Sequence, residues 1–235
     1  MVKILRAYRV LFLSSLFWLQ GLCQSGYEEP EVAAKAVSAP SASPPSPSPS
    51  PPPPPPPPPV SCGVSDVLFV LDSTGSVGSV YEAQRSYISQ LAGQLNIGPE
   101  TQHAGLILYS SKPRQVIVVG LNESISKDAF IAKVNELPYH GGVTATGSAL
   151  ALAQKALESR QPGKKAVVIV LTDGFSFDNT KPASDGLHAL PDVTVVVAGT
   201  ISIIVKPVLE EIAGDPSRVL LGEENKAKVA AMLSC

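Results

Sequence analysis

The 235-residue sequence contains little charge, few cysteines and no excess of basic residues. Charged residues make up 16% of the chain, and the formal net charge is −2. A nucleic-acid-binding domain needs a basic face to neutralise phosphates, so we do not expect that function. The sequence also lacks the Gly-x-Ser-x-Gly turn of a hydrolase nucleophile, a phosphate-cradling glycine loop and a cysteine–histidine pair suited to catalysis. We therefore do not expect an enzyme.

The N-terminus has the pattern of a secretory signal peptide. Lys3, Arg6 and Arg9 precede a mostly apolar stretch at residues 10–23, which is shorter than the roughly 20 residues of a membrane span. We expect residues 1–24 to be removed, which leaves a secreted, extracellular chain with no membrane span. An uncleaved signal anchor is the alternative.

Residues 25–60 are rich in proline and serine, and residues 51–59 are an unbroken run of proline. Proline cannot donate to a strand or helix ladder, and its fixed φ favours polyproline II. We expect a disordered stalk without a packed core. At about 3.1 Å per residue, residues 44–59 would form a stiff spacer of about 50 Å.

The three cysteines lie in different parts of the chain as divided above. Cys23 leaves with the signal or lies at the new N-terminus, whereas Cys62 and Cys235 lie at the two ends of the remaining region. The termini of compact domains often lie close together, and secretion exposes thiols to an oxidising compartment. The sequence favours a Cys62–Cys235 disulfide over free or intermolecular thiols.

Residues 61–235 alternate between strand and helix patterns. The continuous apolar runs at 67–71 and 166–171 are typical of parallel strands buried on both faces. Residues 80–95 have helical spacing, residues 104–119 have the pattern of a hairpin, and residues 126–137 are expected to form a helix with Ser126 as its N-cap. This order predicts a doubly wound α/β domain with a mostly parallel six-stranded sheet. One antiparallel strand lies at its edge, and helices cover both faces.

Polar residues follow the apolar strands directly. Residues 72–76 read Asp-Ser-Thr-Gly-Ser, residues 172–174 read Thr-Asp-Gly, and a glycine-rich loop at 140–145 precedes a helix. Ligands of such sheets bind outside the carboxyl ends of the strands. Each aspartate alone would be an ordinary turn residue. Together, the carboxylates and hydroxyls suit a hard cation such as Mg²⁺.

These segments resemble the motifs of the von Willebrand factor type A family. Residues 72–76 resemble its Asp-x-Ser-x-Ser motif, which belongs to a metal-ion-dependent adhesion site. Residues 144–150 (Thr-Ala-Thr-Gly-Ser-Ala-Leu) resemble its Thr-x-Thr-Gly-x-Ala-Leu segment, and residues 171–174 resemble its Leu-Thr-Asp-Gly segment. The resemblance covers residues 61–235. It implies the same doubly wound fold.

The resemblance also implies a set of metal ligands. Thr74, Ser76 and Thr144 would ligate Mg²⁺ (or Mn²⁺ or Ca²⁺) through their hydroxyls, whereas Asp72 and Asp173 would act mainly through bound water. This sequence departs from the motif at Thr74, where the family has serine. Threonine keeps the oxygen and adds a methyl group and a stiffer χ1.

The resemblance implies a non-enzymatic adhesion or extracellular-matrix protein that binds a protein partner, either a matrix protein or a cell-surface glycoprotein. The alternative is a structural, self-assembling secreted component that binds without metal. The candidate partner contacts lie on loops expected around the metal site: Ser79, Tyr139, His140, Phe175 and Phe177. Both phenylalanines could instead pack against a neighbouring helix.

Asn122-Glu123-Ser124 is an N-glycosylation sequon in an expected loop. In a secreted chain, Asn122 is a candidate for an N-linked glycan.

Overall fold

The computed structural model describes residues 63–200 and 203–234. The expected signal peptide at 1–24, the expected stalk at 25–60, and Cys62 and Cys235 all lie outside the described residues.

Among the described residues, six strands form one sheet. In chain order, they are β1 (Asp66–Asp72), β2 (His103–Tyr109), β3 (Gln115–Val119), β4 (Ala166–Leu171), β5 (Val193–Gly199) and β6 (Val219–Leu221). Their order across the sheet is β3-β2-β1-β4-β5-β6. Only the β2–β3 pair is antiparallel, and the other pairs are parallel. All residues of β1 and β4 are buried, as their uninterrupted apolar runs predict.

In the part of the chain that the structure describes, six α-helices surround the sheet: α1 (Tyr81–Gln94), α2 (Lys127–Asn135), α3 (Thr146–Ala156), α4 (Lys181–His188), α5 (Lys206–Ala213) and α6 (Lys226–Leu233). Two separate apolar cores lie on the two sides of the sheet. One contains buried residues of α1, α2 and α6, and the other contains buried residues of α3, α4 and α5. The expected doubly wound α/β fold is confirmed. Within the described residues, no helix has both the length and the apolar character that a membrane crossing requires.

Helix α2 shows where the sequence predicts a helix boundary and where it does not. Its N-cap is Ser126, whose Oγ accepts a hydrogen bond from Ala129 N at 3.3 Å, as expected. The sequence predicts a helix as far as residue 137, but α2 ends at Asn135. Pro138 disfavours the helical conformation of the residue before it. The segment then turns toward the loop that carries Tyr139 and His140.

Gln102 joins the two ends of the described domain. Its side chain is buried, and its Nε2 donates to Val64 O at 3.0 Å and to Leu233 O at 2.7 Å. Its Oε1 accepts from Asn96 N at 2.9 Å. One amide therefore bridges the segment that enters β1 and the last residue of α6.

Replacing Gln102 with methionine should destabilise the domain. The change keeps side-chain length but leaves two buried carbonyls and one backbone N–H without their partners. We expect a loss of about 2–4 kcal/mol in the free energy of unfolding, measured by urea denaturation. The control is Gln94→Met, at an exposed position at the end of α1, where a change within about 0.5 kcal/mol is expected. Equal effects of the two variants would contradict the role of the bridge.

We propose that Cys62 and Cys235 form the disulfide. Cys62 directly precedes Gly63, and Cys235 directly follows Ser234. A Cβ atom on Gly63 would lie only 3.9 Å from Ser234 O, so these two neighbours of the cysteines are close together. Peptide mapping of secreted protein without reduction should recover one peptide pair linked through Cys62 and Cys235. Two free thiols, or a disulfide between two chains, would contradict the pairing. A bridge over so long a loop would add up to about 5 kcal/mol in the chain-entropy model.

Candidate metal centre

Three polar loops meet at the carboxyl edge of the sheet. Strands β1 and β4 are neighbours and end together, with Leu71 paired to Leu171, so residues 72–76 and 172–178 leave the sheet side by side. The loop at 140–145 leads to the N-terminus of α3 at the same edge, and Ala145 N donates to Ser110 O beyond the end of β2. The parallel topology thus collects the loops that the sequence places after separate strands.

The Asp72 carboxylate lies at the centre of this edge, and only 1% of the residue is exposed. Its Oδ1 accepts a hydrogen bond from Thr74 N at 2.9 Å. Its Oδ2 accepts from Thr172 Oγ1 at 2.8 Å and from the Tyr109 hydroxyl at 3.1 Å. The Tyr109 oxygen is also 3.1 Å from Thr146 Oγ1. One carboxylate thus connects the ends of β1, β2 and β4, and Tyr109 extends the connection to α3.

Burial determines the electrostatics of this carboxylate. It raises the pKa of Asp72 to about 6, and the nearby Asp173 carboxylate contributes a smaller rise. Hydrogen bonds from Thr74 and Thr172 oppose these effects but do not cancel them. Burial also raises the pKa of Tyr109 well above its usual value, which keeps this hydroxyl protonated and able to donate.

The hydroxyls of Thr74 and Ser76 lie beside each other, with their oxygens 3.2 Å apart. Thr74 is buried, whereas Ser76 is exposed, so the pair extends from the interior to the solvent. Asp173 is also buried, and its Oδ1 accepts from Phe175 N at 3.0 Å. Thus, four of the five candidate ligands come from the adjacent ends of β1 and β4.

Thr144, the fifth candidate, is positioned by the glycine loop before it. Gly141 N donates to Ser73 O at 2.8 Å, and Gly75 N donates to Gly142 O at 3.0 Å. Gly141 and Gly142 have φ values of 63° and 83°, which favour glycine. Thr144 is buried, and its backbone oxygen accepts from Phe177 N at 3.0 Å. The loop thus docks on residues 73–75 and places Thr144 at the same edge.

Asp178 has a role that the sequence reasoning missed. Its carboxylate accepts hydrogen bonds from Gly147 N at 2.8 Å and Ser148 N at 2.9 Å, and from Ser176 Oγ at 2.8 Å. Ser176 Oγ in turn accepts from Thr146 N at 3.2 Å. These bonds satisfy the free N–H groups at the start of α3 and place a negative charge at the helix N-terminus. They also hold the loop after β4 against α3.

Tyr109 and Thr172 are the other missed residues, and a sequence signal existed for both. Each lies at or directly after the end of a strand, in the position where ligand-binding residues are expected. The neighbouring strands place Tyr109 opposite Asp72 in the parallel register. For Asp178, no local pattern points to Gly147 and Ser148, because these two partners lie about 30 residues earlier in the chain.

The candidate partner contacts surround this edge in different ways. Phe177 is 84% exposed and Phe175 is 46% exposed, so neither is packed into a core. Tyr139 is 49% exposed, but its ring lies 5.3 Å from that of Tyr81 and its hydroxyl donates to Thr74 O at 3.2 Å. His140 is half-buried, with Nδ1 3.4 Å from Ser73 Oγ, and Ser79 is exposed. Val143, 54% exposed, is an apolar contact that the sequence reasoning did not select.

The donor set fits a hard divalent cation. Within residues 63–200 and 203–234, no three His, Cys, Asp or Glu side chains cluster as metal ligands, so a cation here would depend on hydroxyls and bound water. Hydroxyl and carboxylate oxygens are the donors that Mg²⁺ and Mn²⁺ accept. A cation would also offset the burial of Asp72 and Asp173 near each other.

Comparison with known proteins gives a family match and several relatives. The model of the von Willebrand factor type A domain matches residues 66–231. Cuticlin-6 of Caenorhabditis elegans is 33% identical over 161 residues, and the match covers 67% of this chain and 27% of cuticlin-6. The collagen alpha-1(XXI) chain of Xenopus laevis is 33% identical over 156 residues, with 65% of this chain and 16% of the collagen chain covered. The match thus spans less than a third of either relative.

A solved structure with the same fold is proximal thread matrix protein 1 from the mussel byssus, which has zinc in its MIDAS motif. The TM-score is 0.62 and the sequence identity is 21%. The match covers 74% of this chain and 48% of the mussel protein.

Replacing Asp178 with alanine should loosen the loop after β4. The N-terminus of α3 would lose its carboxylate acceptor, and we expect a loss of about 1–2 kcal/mol in the free energy of unfolding. Hydrogen exchange at Gly147 and Ser148 should accelerate. Asp185→Ala is the matched control, because its carboxylate forms only an exposed ion pair with Lys181 and should contribute less than about 1 kcal/mol. Unchanged exchange at both amides would contradict the capping role.

Proposed function

The chain belongs to the von Willebrand factor type A family, and from this premise we propose that it is a secreted, non-enzymatic adhesion or extracellular-matrix protein that binds a protein partner through a divalent cation. The observation that carries the proposal is the junction of Asp72 with Thr74, Thr172 and Tyr109 beside the Asp173 carboxylate. Cuticlin-6 and the collagen chain, which share the domain, support the matrix role.

In this proposal, the Thr74, Ser76 and Thr144 hydroxyls hold Mg²⁺ or Mn²⁺, and Asp72 and Asp173 supply charge mainly through water. A cation held by these groups would supply the positive charge that attracts a carboxylate of the partner. The surrounding residues keep the ligands in place. Thr172 and Tyr109 fix the orientation of Asp72, and the Gly141–Gly142 docking keeps the loop of Thr144 against residues 73–75.

In this proposal, the rest of the chain brings the binding domain to its extracellular partner. Residues 1–24 direct secretion, residues 25–60 act as a spacer, and residues 61–235 form the binding domain. The contact surface comprises the exposed residues around the site: Ser79, Tyr139, Val143, Phe175 and Phe177, with the half-buried His140. The hydrogen bonds of Phe177 N and Asp178 support a fixed position for the Phe177 backbone, so less ordering entropy is lost on binding.

Metal should stabilise the folded domain. After chelation and dialysis, adding Mg²⁺ or Mn²⁺ should raise the melting temperature, because a ligand at about 100 times its Kd adds about 2.7 kcal/mol to the folded state. The shift should disappear in Asp173→Ala. This change removes a candidate ligand but keeps the hydrogen bonds that Asp72 accepts from its neighbours. The control Asp185→Ala should retain the full shift. If the melting temperature of the wild-type protein does not change at millimolar metal, the proposed metal site is wrong.

Partner binding should require the same site. Immobilised full-length protein should capture an extracellular protein from matrix extracts in the presence of Mg²⁺. It should lose that protein in the presence of a chelator or when Asp72→Ala or Asp173→Ala is used, while circular dichroism shows intact folding. Capture that survives both chelation and these variants would favour the metal-free, self-assembling alternative, above all if the captured protein is a second copy of this chain.

A further inference from the structure

Strand β3 is an exposed edge of the sheet with an uncharged, β-favouring sequence. Its five residues read Gln-Val-Ile-Val-Val, and it pairs only with β2 among the described strands. Val116 is 47% exposed and Ile117 is 37% exposed. An edge with free N–H and C=O groups and exposed β-branched side chains is a template for pairing with another chain. Such an edge is open to pairing with a second copy of the domain unless another feature covers it.

Two local features protect the edge only in part. The β2–β3 register shifts between Leu106 and Ile107, which leaves Val118 as the extra residue of a bulge. Lys112 and Arg114 supply positive charge in the turn before the strand. The strand itself carries no charge, and Val116 and Ile117, whose side chains point to opposite faces of the sheet, both remain exposed.

The turn after β3 contains the sequon. Glu123 N donates to Gly120 O at 3.1 Å, and Gly120 N donates to Glu123 Oε1 at 2.7 Å, so the turn is closed at both ends. Asn122 and Ser124 are both exposed. The acceptor amide is therefore presented to solvent three residues beyond the end of the edge strand.

Asn122 also lines the same surface depression as Ile117. One side of the depression is formed by Ile117, Gly120 and Asn122, and the other by α3 and the turn that follows it. The residues on that second side include Lys155, Glu158 and Ser159. The depression thus combines an apolar wall, suited to the face of a sugar ring, with charged and hydroxyl groups suited to sugar hydroxyls.

We propose that Asn122 carries an N-linked glycan whose first sugars lie over this depression and cover the β3 edge, so that two copies of the domain cannot pair there. This inference rests on the proposed secretion, because the glycan is added in the secretory pathway. It does not depend on the metal site, which is formed by other loops.

Occupancy is tested on the full chain expressed in secreting eukaryotic cells. The protein should shift to lower mass with peptide N-glycosidase F, and peptide mapping should find Asp in place of Asn122 after the treatment. Asn122→Gln and Ser124→Ala should abolish the shift, whereas Ser124→Thr, which keeps a sequon, should retain it. Secreted protein without the shift overturns the proposal.

The test separates a failure of secretion from a failure of the glycan. If the chain stays in the cytosol, the proposed secretion fails, and the same variants are then expressed with an added secretion signal. Glycosylation of that secreted chain supports the site at Asn122, and its absence overturns it.

The covering role is tested by light scattering after size exclusion. Glycosylated protein should be monomeric, whereas Asn122→Gln should contain dimers or larger species that increase with concentration. Adding Ile117→Lys to Asn122→Gln should restore the monomer, because a charge at the edge opposes pairing. The same lysine at exposed Met232 is the matched control and should not restore it. A monomeric Asn122→Gln protein at all concentrations would overturn the covering role.

Discussion

The buried Asp72 carboxylate is the constraint on which the carboxyl edge of the sheet depends. A carboxylate with 1% exposure is costly to ionise unless its oxygens are satisfied, and here they accept from a backbone N–H and from the hydroxyls of Thr172 and Tyr109. Because these donors come from β1, β4 and β2, the carboxylate fixes the relative positions of three strand ends. The loops that start at these strand ends are therefore held in fixed positions.

Most of the fold could be predicted from the sequence because the core strands are unambiguous. The apolar runs of β1 and β4 are too short for helices and too continuous for half-exposed strands, so they indicate buried parallel strands. The antiparallel edge followed from the short turn between β2 and β3. Ends of helices were harder: Pro138 disfavours a helical conformation at residue 137, and α2 ends two residues earlier than its apolar pattern predicts.

The site could be predicted less completely than the fold, for a physical reason. Residues directly after strands can be selected by position, and this rule pointed to residues 72–76 and 172–174, whereas the resemblance to the von Willebrand factor type A motifs singled out Asp72, Thr74, Ser76, Thr144 and Asp173 within these segments and the neighbouring loop. A hydrogen bond between distant loops leaves no local pattern, so the capping of α3 by Asp178 could not be predicted. The exposure of Phe175 and Phe177 could not be predicted either, because their sequence pattern is equally compatible with packing against a helix and with contact with solvent. The backbone hydrogen bond from Phe177 N to Thr144 O, formed with a residue 33 positions earlier, holds the main chain of Phe177 in place, and the residue is 84% exposed.

The carboxyl edge and the β3 edge of the sheet have opposite requirements. At the carboxyl edge, hydrogen bonds tie the loops together, so the candidate oxygen ligands are held in place while Phe175 and Phe177 stay exposed, which favours binding. At the β3 edge, exposed Val116 and Ile117 would also favour binding, but to any strand, because backbone pairing has little sequence specificity. A protein that must bind a chosen partner at one edge therefore needs the other edge closed. A bulky, hydrated group at Asn122 would close it without altering the strands that carry Asp72.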